Sequence, residues 1–138
     1  MIEIQEEEDF ETKMEQIDTE LNYKAECFNY SFDEMPNDKM TDEKTIFITY
    51  EFNCYCYDDS VLHGHKAFFR IKPTNNRNYI TYGDIFIQSD TQMKEYLNDW
   101  IIKEKWNGTT YQDLLCNHIF TEGLDKTTDI QYDLFCGS

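Results

Sequence analysis

The sequence predicts an α+β domain: an antiparallel sheet of four to five strands with helices packed on one face, in the order helix, four strands, two helices, strand. Three observations carry this. The run TIFITYEFNCYCY at 45–57 alternates apolar and polar with period two. The run SDTQMKEYLNDWIIKEKWNG at 89–108 repeats its apolar residues at helical spacing. Ten Phe, ten Tyr and two Trp in 138 residues supply the large apolar bodies that a core needs. At this length residues 1–138 form a single domain that buries about two thirds of the surface its unfolded chain exposes.

The first element is a helix. In EEEDFETKMEQIDTELNYK, Phe10, Met14, Ile17 and Leu21 recur at helical spacing on one side. Glu6, Glu7, Glu8, Asp9 and Glu11 crowd its start, where they oppose the positive end of the helix dipole, and Glu15, Asp18 and Glu20 fall mostly away from the stripe. YKAECFNYSF at 23–32 is aromatic with partial alternation and is expected to be a strand. DEMPNDKMTDEK at 33–44 holds a proline in an acidic polar run and is expected to be a loop.

The run at 45–57 puts Ile46, Ile48, Tyr50, Phe52, Cys54 and Cys56 on one face, and HKAFFRIKP at 65–73 puts His65, Ala67, Phe69 and Ile71 on one face. A two-residue turn at Asp59 and Ser60 joins them so that both apolar faces point the same way, with Cys56 opposite His63 and Cys54 opposite His65. YITYGDIFIQ at 79–88 is expected to be the next strand, with Gly83 marking a bulge or a close backbone approach. The following helix opens on a capping box from Ser89 to Gln92, carries Met93, Tyr96, Leu97, Trp100 and Ile101 inward, and ends at Asn107-Gly108. A shorter helix starts at Thr109 or Thr110 and stops near Gly123. The last strand, TDIQYDLFC at 128–136, turns Ile130, Tyr132, Leu134 and Cys136 inward and an acidic face outward. A helix leading into a four-strand meander is similar to the element order of cystatin-like folds, a likeness of order with no cystatin motif.

Charge is uneven. The net charge is −16, and residues 1–43 hold fifteen of the 28 acids against Lys13, Lys24 and Lys39. That exceeds what solubility asks of a small domain. The opening MIEIQEEEDF has neither a basic flank nor an apolar stretch, no run approaches the roughly 20 apolar residues of a membrane span, and the five cysteines are odd in number. The expected setting is cytoplasmic, with reduced thiols and no membrane partner.

Catalytic and metal patterns are weak. Cys54, Cys56, His63 and His65 invite a zinc reading, but directly opposed side chains on a flat hairpin start about 5 Å apart and same-face neighbours about 7 Å apart, so four ligands close on one ion only if the hairpin bends sharply. The expectation is core packing, no metal and no cofactor. Cys116 and His118, two apart on a helix, do not face each other. The glycines are scattered, no serine sits in a nucleophile elbow, and the chain is read as non-enzymatic. Lys66, Phe68, Arg70, Lys72 and Arg77 interleave as in a nucleic-acid-binding strand, but the overall negative field repels phosphates and no direct nucleic-acid partner is expected.

Carboxylates fixed in rows on a folded scaffold match phosphates in spacing and sign, and such a surface competes for the basic cleft of a nucleic-acid enzyme. In size and charge the chain resembles anti-CRISPR and anti-restriction proteins of phages and bacterial immunity proteins. The expected function is an inhibitor that presents Glu6, Glu7, Glu8, Asp9, Glu11, Glu15 and Asp18, with Asp33, Glu34, Asp38, Asp42 and Glu43, to a basic protein partner. Two readings compete: a small-molecule or peptide module with a pocket lined by Tyr50, Phe52, Phe69, Tyr82 and Trp100, and an assembly subunit, with a homo-oligomer allowed.

Overall fold

A long hairpin dominates the fold: β3, Ile46–Asp58, runs antiparallel to β4, Val61–Ile71. This is a computed structural model, and it describes residues 2–58, 61–103, 110–115 and 119–137, with side chains described outside 2–9, 54–58, 61–63 and 100–103. Alternation sorts the hairpin as expected: Ile46, Ile48, Tyr50 and Phe52 are buried together with Ala67, Phe69 and Ile71. The register differs. Cys54 stands opposite His63 and Phe52 opposite His65, because an irregularity between Cys54 and Asp58 shifts the pairing by two residues. An even shift keeps both apolar faces on one side, so the core loses nothing by it. The turn residues 59 and 60 lie outside the described residues.

Around the hairpin stand α1, Ile2–Leu21; β1, Asn29–Tyr30; β2, Lys39–Thr41; β5, Ile80–Thr81; α2, Tyr82–Lys103; α3, Tyr111–Leu114; β6, Phe120–Thr128; and β7, Gln131–Gly137. The main sheet has five strands in the order β1-β6-β7-β3-β4, and β2 pairs with β5 in a separate two-stranded sheet. The α+β class and the strand number are as expected. The sheet is mixed rather than wholly antiparallel: β1 runs parallel to β6 and β3 parallel to β7. The last strand slots in beside β3 instead of extending the meander, which closes the sheet around its most apolar strand.

Helix α2 begins at Tyr82, so YITYGDIFIQ is a strand only at Ile80 and Thr81. The cause is local. The Thr81 hydroxyl accepts from the Asp84 amide at 3.1 Å, and Asp84 Oδ2 accepts from the Thr81 amide at 3.0 Å, which is a capping box eight residues before the expected one. Arg77 Nη2 donates to both oxygens of Asp84 at 2.7 and 2.8 Å and locks the cap. The inward stripe of α2 is Ile85, Phe86, Ser89, Asp90, Met93 and Leu97. Its two polar members hide the helical period from a hydrophobicity reading.

Asp90 also explains why β1 is short. Its Oδ1 accepts from the amides of Cys27 and Phe28 at 2.8 and 2.9 Å, and its Oδ2 accepts from the Glu26 amide at 3.2 Å and the Tyr23 hydroxyl at 2.8 Å. The chain after α1 wraps around one carboxylate, and only Asn29 and Tyr30 remain free to pair as a strand. Farther along, α3 starts from an N-cap at Thr110, as expected, but ends at Leu114, and the segment expected to complete it becomes β6. Ile130, expected inward, sits exposed in the β6–β7 turn.

A single apolar cluster joins the sheet to all three helices: Ile17 and Leu21 of α1, Met93 and Leu97 of α2, and Leu114 of α3 belong to it together with the inward residues of β3 and β4. Each such side chain contributes roughly 1.5–3 kcal/mol by leaving water. The β4 edge is closed by two glutamines one turn apart on α2. Gln92 accepts from the Arg70 amide and donates to its carbonyl, and Gln88 does the same for Lys72. Each side-chain amide stands in for a residue of a neighbouring strand, which blunts the edge against pairing with another chain. No helix among the described residues is long and apolar enough to cross a membrane.

Candidate functional site

The acidic residues fall on two elements, α1 and the segment 33–43, and the structure shows how each is held. Helix α1 starts at Ile2, so the acidic run lies in its second and third turns rather than at its start. Glu6, Glu7, Glu8 and Asp9 lie within the helix, with side chains outside the described ones. Glu11, Glu15 and Asp18 are exposed. The apolar stripe is only half used: Ile17 and Leu21 are 4 and 8 % exposed, but Phe10 and Met14 are 65 and 36 % exposed. From Phe10 to Glu15 the described part of α1 therefore carries its carboxylates and an exposed aromatic away from the core.

Asp33, Glu34, Asp38, Asp42 and Glu43 are also exposed, on a segment that is braced at its backbone. Gly83 N donates to Pro36 O at 2.8 Å and Tyr82 N to Asp38 O at 3.2 Å, so two amides of the first turn of α2 are satisfied by this segment. A Cβ on Gly83 would lie 2.9 Å from the Pro36 carbonyl oxygen, so the close approach requires glycine. Of the two roles expected for Gly83, the close approach is the one the structure uses. The β2–β5 pairing and the Asp38 carboxylate, which accepts from the Met35 amide at 2.9 Å, complete the brace. Asp42 is paired with Lys39 at 3.0 Å, both exposed.

Tyr30 and Tyr82 tie the two elements together. The Tyr30 hydroxyl donates to the Glu34 carbonyl at 2.6 Å. Its pKa is raised by burial and then by the carboxylates of Glu34, Asp38 and Glu20. The pKa of Tyr82 is raised by burial and then by Glu34 and Asp38. The 33–38 segment thus acts on both hydroxyls, and Glu20 in the last turn of α1 acts on that of Tyr30. Glu20, Tyr30 and Gly83 were not among the expected site residues, and Tyr82 was expected only as a pocket aromatic. Besides Gly83, already marked as a bulge or close approach, the sequence signal here is the Thr81-x-x-Asp84 capping box, which fixes where α2 begins.

The expected pocket aromatics stand in different surroundings. Phe69 is sealed in the core. Tyr50 and Phe52 stack at 5.3 Å and border a cleft of about 390 Å³ between β3 and β7, beyond the point where those strands stop pairing, with Asp133, Phe135 and Cys136 opposite. Tyr82 packs on Phe32, and the Trp100 side chain lies outside the described ones. The Cys136 thiol is hydrogen-bonded to Tyr50, yet burial pushes its pKa up to about 12, which keeps it protonated and unreactive at neutral pH. A second groove, about 600 Å³, lies between α1 and β1 and is lined by Met14, Ile17, Leu21, Phe28, Phe86 and Phe120.

Of the metal candidates, His65 stacks on Phe52 at 5.4 Å, and the side chains of Cys54, Cys56 and His63 lie outside the described ones. Among the described residues no group of three His, Cys, Asp or Glu is placed to hold an ion. Cys116 and His118 lie outside the described residues. In the basic strand, Lys66, Phe68, Arg70 and Lys72 are exposed, whereas Arg77 is committed to Asp84. Comparison of the chain with protein-family models, curated proteins and solved structures finds no match in any of the three.

Proposed function

We propose that this chain is a non-enzymatic inhibitor whose acidic face docks on the basic, nucleic-acid-binding surface of a nuclease or host-defence protein, in the manner of anti-CRISPR, anti-restriction or immunity proteins. The observation that carries the reading is the bracing of the 33–43 segment on the first turn of α2, next to the end of α1. Carboxylates on a backbone that is already ordered lose little entropy on binding, which is the condition for an acidic surface to compete with nucleic acid. Glu11, Glu15, Asp18, Asp33 and Glu34 supply long-range steering, and the exposed Phe10 and Met14 beside them supply apolar anchors.

The test begins with capture of partners from a lysate, identification of what is retained, and a salt titration of the purified pair. Affinity should fall steeply as ionic strength rises. Neutralising Glu11, Glu15, Asp18, Asp33 and Glu34 to their amides should slow association about tenfold with little change in stability. Gly83→Ala, which displaces the Pro36 carbonyl, should weaken binding although it removes no charge. Retention of metabolites only, or affinity indifferent to salt, would overturn the reading. The cleft beside Tyr50 and Phe52 supports the second reading, a small-molecule or peptide module, and the same metabolite result would favour it.

A further inference from the structure

The face of the main sheet turned away from the β3–β4 core residues exposes aromatic side chains. Phe68 of β4, Phe47 of β3 and Phe135 of β7 are 66, 39 and 47 % exposed on it. Its charges are segregated. On the β4 side stand Lys66 and Arg70, opposite Glu51 and Phe47 of β3. On the β6–β7 side Asp125 and Asp133 are direct cross-strand partners, and the Asp133 carboxylate, held by the Thr49 hydroxyl, shares the face. Like charges directly opposite each other destabilise a sheet. Among the described residues, neither aspartate has a cation within ion-pair distance, and neither does Arg70 have a carboxylate. Lys66 has a 3.9 Å contact with the exposed Glu51 and lies over the Phe68 ring at 5.7 Å.

We propose that this face is the interface with a second copy of the same chain, related by a two-fold axis that lies between the two sheets and parallel to their strands. That operation sets the β4 side of each copy over the β6–β7 side of the other. Arg70 and Lys66 then meet the Asp125 and Asp133 pair of the partner copy, and the three phenylalanines pack between sheets about 10 Å apart. A two-fold axis perpendicular to the strands would stack cation on cation and aspartate on aspartate. The charge pattern therefore selects one arrangement, and it relieves the unfavourable Asp125 and Asp133 pairing. The contact is isologous, so it closes as a dimer and does not propagate.

Sedimentation of the purified chain at about 0.15 M salt, where the net repulsion between copies is screened beyond about 8 Å, tests this without any other partner. The mass should rise with concentration from 16.6 kDa toward twice that value. Phe68→Ser should weaken dimerisation at least tenfold, and so should Arg70→Glu. Adding Asp125→Arg to Arg70→Glu in one chain should restore it, because both swapped pairs are re-formed across the axis. These positions are exposed, and thermal melts should show each variant folded. A wild-type chain that stays monomeric at every concentration, a dimer indifferent to Phe68→Ser, or a charge swap that fails to rescue would each overturn the proposal. A heterologous protein found on this face in place of a second copy would overturn it too. None of these failures bears on the acidic face, which lies on other elements.

Discussion

Helices α1 and α2 are nearly equal in length, 20 and 22 residues, yet the chain uses them in opposite ways. In α1 the described polar residues face water, apart from the half-buried Glu20, and the apolar stripe enters the core at Ile17 and Leu21, its C-terminal members. In α2 the buried face includes Asp84, Ser89 and Asp90, and the residues at its margin include Gln88 and Gln92. All of them but Ser89 hold backbone: Asp84 caps the helix, Asp90 gathers residues 26–28, and the glutamines close the β4 edge. What separates the helices is the partner that most of their described polar side chains find, which is backbone for the buried face of α2 and solvent for α1. A buried carboxylate with several donors organises a loop, whereas an exposed one is free to meet another molecule.

The comparison breaks hardest at Asp90, which is wholly buried. Asp90→Ala removes the acceptor for the Glu26, Cys27 and Phe28 amides and for the Tyr23 hydroxyl, and the two deeper amides have no water to turn to. Loss of a buried network of this kind costs about 3–5 kcal/mol. Urea denaturation should show that loss, with Asp90→Asn falling between wild type and Ala because one of its two oxygens becomes a donor facing donors. A loss under about 1 kcal/mol would mean that the segment after α1 is held by its apolar contacts instead.

How much of this was legible in the sequence follows the same division. The hairpin was readable because Ile46, Ile48, Tyr50 and Phe52 recur at every second position and Ala67, Phe69 and Ile71 answer them, and the three helices of the core were found at least in part. The start of α2 was not, because Ser89 and Asp90 occupy buried positions of its stripe, and the partners that account for Asp90 lie 62 to 67 residues away. Strand β6 was missed because FTEGLDKTT turns few apolar side chains inward, and it becomes a strand by pairing with β7. The parallel register of β3 with β7 joins residues more than 80 apart, which no local pattern encodes. For the site, the carboxylates could be counted in the sequence, but their bracing depends on a contact between Gly83 and Pro36 that is visible only once the helix is known to begin at Tyr82.

Alkaline pH sharpens the comparison at smaller amplitude. Tyr23 and Cys27, both beside Asp90, have pKa values raised first by burial, and Asp90 adds to the rise in each. Cys136 is raised to about 12, chiefly by burial. In the unfolded chain these groups ionise at their ordinary values, near 9 for the thiols, while the folded chain still holds the protons. Their contribution is fully present below that pH and is lost as pH rises, at about 1.4 kcal/mol per pH unit for each group between its unfolded and folded pKa. Stability should therefore decline from about pH 9 upward, and Cys27→Ala should flatten part of that decline. A stability curve level through pH 11 would contradict the burial assigned to these thiols.

The smallest effect belongs to the exposed Phe10 of α1, and it distinguishes a helix that folds with the core from one that only continues it. Ile17→Ala empties a core position and should cost about 2–4 kcal/mol, within the range for aliphatic truncations. Phe10→Ala, seven residues earlier on the same stripe, removes a ring that is 65 % exposed and should change stability by less than about 0.5 kcal/mol. The two substitutions read different things in a binding assay. If Phe10 is an apolar anchor beside the steering carboxylates, Phe10→Ala should raise the dissociation rate for the basic partner while leaving the association rate, which Glu11 and Glu15 govern, almost unchanged. A Phe10→Ala variant that loses stability as Ile17→Ala does would place the ring in the fold, and the exposed half of α1 would then belong to the core instead of the docking surface.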